Sequence, residues 1–436
     1  MDVSHLRALR GPNLWSRSTA MQAVVTCHGP EGAIDALPGF EARLRERFPD
    51  VGHLVPHDAL TPVSLAHVFE FAALGLQAQA GCPVTFSRSA LTRDAGVYQV
   101  VVEYTEEEVG RLAFKYAEQL CRAALDDTPF DLAEVLQALR ELYEDIRLGP
   151  STHAIVSAAQ ARGIPFRRLT QGSLVQFGWG SKQKRIQAAE TSLTSAIAES
   201  IAQDKELTKR LLRAAGVPVP MSRPVDDEDD AWRAAREIGL PVVVKPQNGN
   251  QGRGISVNLS TEERVRQAYR LASGLYDDIM VERYLPGHDW RFLVIGNKLI
   301  AAARRDPPMV VGDGVHTVRE LVDIVNSDPR RSDGHSTSLT KIRFDEVALA
   351  RLAEQGYGAD AVPALGVRVV LRDNANLSTG GTATDVTDDV HPELAAAAVA
   401  AAQTVGLDIA GIDVVCETVL RPLEGQGGVV EVNAAP

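Results

Sequence analysis

One stretch limits what this chain can fold into more than any other. Val242 to Val257 reads VVVKPQNGNQGRGISV. Three valines lead into Lys245, Pro246 ends regular structure, and Gly249, Gly252 and Gly254 precede the return through Ile255, Ser256 and Val257. The β-branched residues on both sides predict an antiparallel hairpin, with a turn too long and too glycine-rich to be a two-residue one. Glycine lets several backbone N–H groups approach one ligand closely and point at it together. A lysine beside such a loop adds a charge suited to phosphate oxygens. The stretch therefore reads as a flexible lid over a nucleotide triphosphate. Taken alone it is equally compatible with an ordinary surface hairpin, so the rest of the chain must decide.

Length and charge narrow the classes. The 436 residues are enough for two or three domains, and at 45% hydrophobic and 23% charged they can bury a sizeable core. A formal net charge of −12 argues against general binding to nucleic acid or anionic membranes. The four cysteines (Cys27, Cys82, Cys121, Cys416) have no C-x-x-C spacing and read as reduced thiols of a cytoplasmic protein. The opening MDVSHLRALRGPNLWSRS has no apolar run, so no secretory signal is expected, and no stretch has the apolar length of a membrane span.

The pattern along the chain predicts a small α+β domain over residues 1–150. It has a strand at Ala23–Cys27, helices over 34–48 and 64–79, and a strand at 97–104. Two more helices follow, near 106–125 and 131–147, the last with Asp131 as N-cap. An αβ alternation fills 151–436, interrupted over about 306–377 by a segment that reads as an insertion or second lobe. Helices are predicted over 192–202, from about 204 to Gly216, and over 228–238, 261–272, 318–326, 344–355 and 392–405. The sequence stops at Pro436 just after an apolar strand, which leads us to expect that the natural protein continues.

The residues that could carry chemistry cluster late. Asp413 lies in an apolar strand, AGIDVVCE, and Glu431 and Asn433 lie two apart in VVEVN, so they share a strand face. Such hard oxygens suit Mg²⁺ bridging nucleotide phosphates. Each taken singly also fits a solvated strand end. In VERYLPGHDWRFLVIG, Asp289 and Arg291 alternate with Trp290 and Phe292 and so share a face. An acid there can hold ribose hydroxyls, and an arginine can stabilise a phosphoryl group in transfer. A surface ion pair is the plain alternative.

The order of Lys205, Lys245 with its glycine hairpin, E-R-Y-L, Asp289, Arg291, Asp413 and Glu431-x-Asn433 resembles the ATP-grasp superfamily. The stretches LRGPNLWS at 9–16, QKRIQAAETSLTSAIAESIAQDKELTKRLLRAAGVPVP, NLSTGGTATDVTDDVHPE at 376–393 and GIDVV…EVNAAP resemble, more narrowly, the cyanophycin synthetase family. The resemblance implies a small N-terminal α+β domain that binds polymer or supports assembly, followed by an ATP-grasp fold of two α+β lobes clasping ATP. It implies an ATP-dependent acid–amino-acid (peptide) ligase. That enzyme phosphorylates the C-terminal backbone carboxylate of a cyanophycin primer (multi-L-arginyl-poly-L-aspartate), and L-aspartate then attacks. Its cofactors would be ATP and Mg²⁺, and it would be a homotetramer or homodimer.

By the same resemblance, Lys205, Lys245 and the hairpin glycines Gly249, Gly252 and Gly254 would bind the ATP phosphates. Glu282, Tyr284 and Leu285 would face adenine, and Asp289 the ribose. Asp413, Glu431 and Asn433 would hold the metal. Arg291, with Lys245 and Arg305, would be catalytic. Asn376, Ser378, Thr379, Gly380 and Gly381 would lie near the acceptor carboxylate. A glutathione-synthetase-like ligase with other substrates and a non-catalytic polymer-binding module are the alternatives.

Two departures stand out. The family's Mur-ligase-like part, which adds arginine, is missing from this sequence. His67 and Glu70 in HVFEF resemble a metal-dependent H-x-x-E-H pattern of some members, but Phe71 occupies the second histidine position. A local ion pair or hydrogen bond is the expected role of His67, so the N-terminal domain is expected not to hydrolyse polymer.

Overall fold

The computed structural model describes residues 1–55, 62–247, 254–332 and 339–436. The hairpin tip with Gly249 and Gly252 lies outside the described residues. The chain divides into two compact units, Met1–Leu148 with His153–Gln183, and Gly149–Thr152 with Lys184–Pro436.

The first unit begins with β1 (Asp2–Leu9) and β2 (Ala20–Thr26), then α1 (Phe40–Arg47), α2 (Leu65–Gln79), β3 (Ser87–Leu91), β4 (Val97–Glu103), α3 (Glu107–Asp126) and α4 (Leu132–Ile146). The strands form one antiparallel sheet in the order β1-β2-β4-β3. Met21, Ala23, Val25, Val100 and Val102 are buried against Leu65, Phe69, Phe114 and Leu120 of the helices. The Asp131 side chain accepts the Glu134 N–H and starts α4, as its position predicts. The helix expected over 34–48 is broken. Ile34–Ala36 is a short 3₁₀ turn, and Gly39 sits at φ 70° before α1. Proline 38 followed by a left-handed glycine cannot continue a helix, although the apolar spacing runs through both. The polar opening, which shows no strand pattern, pairs with β2 as the edge strand β1 and is mostly exposed. Beyond α4 come α5 (Pro150–Ala161) and a hairpin of β5 (Phe166–Arg168) and β6 (Leu174–Phe177).

The second unit opens with the hairpin β7 (Lys184–Gln187) and β8 (Glu190–Thr191), followed by α6 (Ala196–Gln203) and α7 (Lys205–Ala214). Ser195 and Asp204 cap these two helices through their side chains. Next come β9 (Ser222–Val225), α8 (Glu228–Ile238), β10 (Val242–Pro246), β11 (Ser256–Leu259), α9 (Glu262–Ser273) and β12 (Ile279–Arg283). These four strands form an antiparallel sheet, β11-β10-β12-β9, and bury their valines against Ala231, Ala235, Val265 and Ala272 of α8 and α9. The predicted hairpin is present, with Val242 opposite Leu259 and Val244 opposite Ser256.

The chain continues through β13 (His288–Ile295) and β14 (Lys298–Asp306) into the segment read as an insertion. That segment contains β15 (Met309–Val311), α10 (Val318–Asn326), β16 (Arg331–Ser332), β17 (Leu339–Thr340), α11 (Glu346–Glu354) and β18 (Arg368–Val370). It gathers its own core around Val318, Leu321, Leu352 and Val369. The last elements are β19 (Thr382–Asp385), α12 (Pro392–Val405), β20 (Ile409–Cys416) and β21 (Gly427–Asn433). A five-stranded antiparallel sheet results, in the order β19-β14-β13-β20-β21. Period-two alternation sorts its faces. Trp290, Phe292, Val294, Ile412, Val414 and Val432 join Leu394, Ala398, Ala402 and Val405 of α12 in the core. The residues between them point the other way. Among the described residues, no helix is long and apolar enough to cross a membrane.

Candidate active site

The outward face of the five-stranded sheet carries the polar residues, and strand register decides which of them meet. Arg291 lies opposite Asp413, and Asp413 lies opposite Glu431 on its other side. Asp289 lies opposite Arg305. Directly opposed residues of an antiparallel pair share a face, so side chains from four strands converge. Arg291 Nε reaches Asp413 Oδ1 at 3.0 Å, and Arg305 Nη2 reaches the same oxygen at 3.2 Å. Arg305 also donates to Asp289 Oδ1 from Nε at 3.0 Å and from Nη2 at 2.6 Å. Asn433 Nδ2 donates to Asp413 Oδ2 at 3.4 Å. Burial pushes the Asp413 carboxyl up to about 6, against the opposing pull of Arg291 and Arg305. Burial likewise raises Asp289 above the usual carboxylate range. Gly411 makes this packing possible, because a side chain there would collide with the Arg291 guanidinium.

The second half of the site comes from α7, β10 and β12. Lys205, the first residue of α7, lies 3.4 Å from Glu431 Oε1. Lys245 Nζ donates to Glu282 Oε1 at 2.8 Å. Lys209, one turn beyond Lys205, ion-pairs with Glu282 Oε2. Burial holds Lys245 down to about 8 and drives Lys209 well below an ordinary lysine, with the Lys245 charge adding to the effect. Lys209 was missed at the level of sequence. Its four-residue spacing from Lys205 was the one available signal, and nothing local says that a lysine will be buried.

Lys205, Lys245 and the polar row of the sheet line a cleft of about 730 Å³ together with Ile255, Val257, Asn374, Asn376, Leu377 and Ser378. The cleft brings together Lys205, Lys245, Asp289, Arg291, Arg305, Asn376, Ser378, Asp413, Glu431 and Asn433. It does not bring in every predicted residue. Glu282 is buried behind the lysines it holds. Tyr284 and Leu285 are outside the lining, and the Tyr284 N–H is taken by the Pro241 carbonyl at 3.1 Å. Thr379 donates to Asn374 Oδ1 at 2.7 Å and to the Asn376 carbonyl at 2.9 Å, bracing the loop from within. Gly380 and Gly381 pack so closely against Ile342 and the Asn376 and Asp306 carbonyls that a side chain would not fit at either. Gly254, at φ 73°, lies beside Pro246 and Tyr276.

Comparison with known proteins fits this arrangement. Residues 30–126 match the cyanophycin synthase-like N-terminal domain, and residues 204–293 match the ATP-binding domain of the carbamoyl-phosphate synthase L chain. A cyanophycin synthetase of Nostoc sp. is 41% identical over 453 residues, which cover 100% of this chain and 50% of the relative. The chain is a homologue of the cyanophycin synthetases, with their N-terminal domain and an ATP-grasp domain. The cyanophycin synthetase of Synechocystis sp. is also 41% identical, again over 100% of this chain and 52% of its own length. A crystal structure of a bifunctional glutathione synthetase from Pasteurella multocida superposes with a TM-score of 0.52 at 30% identity, covering 76% of this chain and 48% of that one. The chain thus spans about half the length of the curated relatives it matches. The ATP-grasp match begins at residue 204 and ends at 293, so it takes in both α7 lysines, Lys245, Glu282 and Arg291.

Whether the site suits a divalent metal can be judged from its donors. Among the described residues, no group of three or more His, Cys, Asp or Glu side chains gathers as a ligand set. Two carboxylates and an amide, Asp413, Glu431 and Asn433, do line one cleft. Their hard oxygens fit Mg²⁺ and not a thiophilic ion.

Proposed function

We propose that this chain is an ATP-dependent ligase that joins L-aspartate to the C-terminal backbone carboxylate of a cyanophycin primer through an acyl phosphate. The observation that carries the proposal is the convergence of two lysines (Lys205, Lys245), two arginines (Arg291, Arg305) and four acids (Asp289, Asp373, Asp413, Glu431) on one cleft. A carboxylate is a poor electrophile until one oxygen becomes a leaving group, and transfer of the γ-phosphoryl group from ATP makes it one. The amine of aspartate then forms the amide bond as phosphate leaves. The charge that gathers during transfer needs cations already in place.

In this reading Lys205 and Lys245 bind the ATP phosphates, and Asp289 meets the ribose. Arg291 steadies the phosphoryl group in transfer and then the tetrahedral intermediate. Arg305, gripped between Asp289 and Asp413, keeps that face cationic. Asn376 and Ser378 meet the acceptor carboxylate. Mg²⁺, held by Asp413, Glu431 and Asn433, would supply charge neutralisation at the phosphates. Addition of arginine is outside this reading.

The test supplies ATP, Mg²⁺, L-aspartate and a β-Asp-Arg primer and follows phosphate release. Release that requires both amino acid and primer, with the product one aspartate longer, is the expected result. No release from a folded chain that binds ATP would overturn it. The likeness to the Pasteurella glutathione synthetase favours one second reading, in which the ligase chemistry is kept and the amino acid and acceptor differ. Phosphate release with another amino acid and a small peptide acceptor would select it.

A further inference from the structure

The mechanism above leaves Lys209 and Glu282 without a task, although they are among the most deeply buried charges of the domain, at 2% and 3% exposed. Glu282 and Lys245 sit on neighbouring antiparallel strands. Glu282 pairs with Val243, and Lys245 pairs with Met280. The two are therefore diagonal neighbours on one face. From the other side, α7 lowers Lys209 onto the second Glu282 oxygen. Glu282 therefore has one lysine on each oxygen. Two lysine amines share one buried carboxylate, and nearby Lys205 lies 3.4 Å from Glu431. A buried ion needs a partner of opposite sign, and these two lysines compete for a single carboxylate. Only Lys245 of the two reaches the lining of the cleft.

We infer that Lys209 is a positioning residue for nucleotide binding: by occupying half of Glu282, it prevents that carboxylate from neutralising Lys245 and leaves the Lys245 charge for a polyphosphate in the cleft. Glu282 is then an anionic hub that orients two lysines, in place of the adenine contact its sequence position suggests. Without Lys209, Glu282 has Lys245 as its one close counter-ion among the described residues. That pair is neutral, and an incoming phosphate gains less from it. The inference rests on the reading that the cleft takes ATP.

A double-mutant cycle on the full chain tests it, with Mg·ATP affinity read by calorimetry and folding by the melting temperature of each variant. Lys209→Met should weaken ATP about tenfold, a size usual for coupled charges in one network. Glu282→Gln introduced into that variant should recover most of the loss, because an amide does not neutralise Lys245. A brace that merely holds structure gives no such rescue. If Lys209→Met does not fold, Glu282→Gln alone still decides, since it should tighten ATP binding. Wild-type affinity in folded Lys209→Met, a double variant worse than either single, or weaker binding in Glu282→Gln would each overturn the inference while ATP binding by the wild type stands. Failure of the wild type to bind ATP would sink the nucleotide reading itself, and the inference with it.

Discussion

Two sets of buried polar side chains can be compared, one in each unit. In α2, His67 is 3% exposed, and its Nδ1 receives the Ser64 N–H at 3.1 Å and contacts Ser64 Oγ at 2.8 Å. Its ring also stands edge-on to Tyr98. This histidine turns back on the start of its own helix, inside the apolar core of the first unit. In the second unit, Asp413 is 6% exposed, and its partners come from other strands and open onto a cleft. The two sets are buried to a similar depth. What differs is where the partners come from. The Ser64 contacts of His67 lie within one turn of helix, whereas the Asp413 set is assembled from several strands and carries charge toward a space that a ligand can enter.

The largest effect should come from Arg291→Ala. Its partner Asp413 keeps Arg305, so the fold should survive, and turnover should fall about 10²–10³-fold, as for loss of one preorganised cation. ATP affinity should change by less than about threefold, since the arginine acts mainly on charge that develops in transfer. Steady-state kinetics beside calorimetry separate the two, and equal losses in both would make Arg291 a structural residue and erase the contrast with His67.

The next effect is on pH. Burial holds Lys245 down to about 8, so ATP affinity should fall as pH rises through about 8 and the cation loses its proton. For stability the sign is opposite. Between about 8 and the ordinary lysine value of 10.5, the unfolded chain binds the proton that the folded chain has shed. This group therefore favours folding increasingly as pH rises across that window. ATP titrations from pH 7 to 9 that show a flat affinity would break the assignment.

Smaller effects belong to the first unit. His67→Leu strands the buried Ser64 N–H and should lower stability by about 1–3 kcal/mol, visible in thermal unfolding, while ATP affinity stays at the wild-type value. Zinc-dependent hydrolysis of a β-Asp-Arg polymer by wild type that is lost in His67→Leu would instead make this a second catalytic site. Asp131→Ala removes the α4 cap and should be the mildest, about 1 kcal/mol in chemical denaturation; no change at all would mean that the helix start is held by packing alone.

Much of this organisation was legible in the residues. Caps such as Asp131, Asp204 and Thr261 mark helix starts because their side chains satisfy backbone N–H groups a few residues away. Alternation placed Asp289 with Arg291, and Glu431 with Asn433, on shared faces, since a strand has a period of two. What misled was periodicity without chemistry. Apolar spacing runs straight through Pro38 and Gly39, and the polar strand β1 shows no alternation because an edge strand exposes most of its side chains.

The sequence by itself determined which elements form, the hairpin around Lys245 and the residue types that can hold a polyphosphate, because those depend on neighbours a few positions apart. Only the tertiary structure decided that Arg291, Asp413 and Glu431 lie in one row, that Arg305 is shared by two aspartates, and that Lys209 stands behind Lys245 on Glu282. Register between strands distant in sequence, and the burial of a charge, are set by how whole layers pack. No local pattern of residues encodes either.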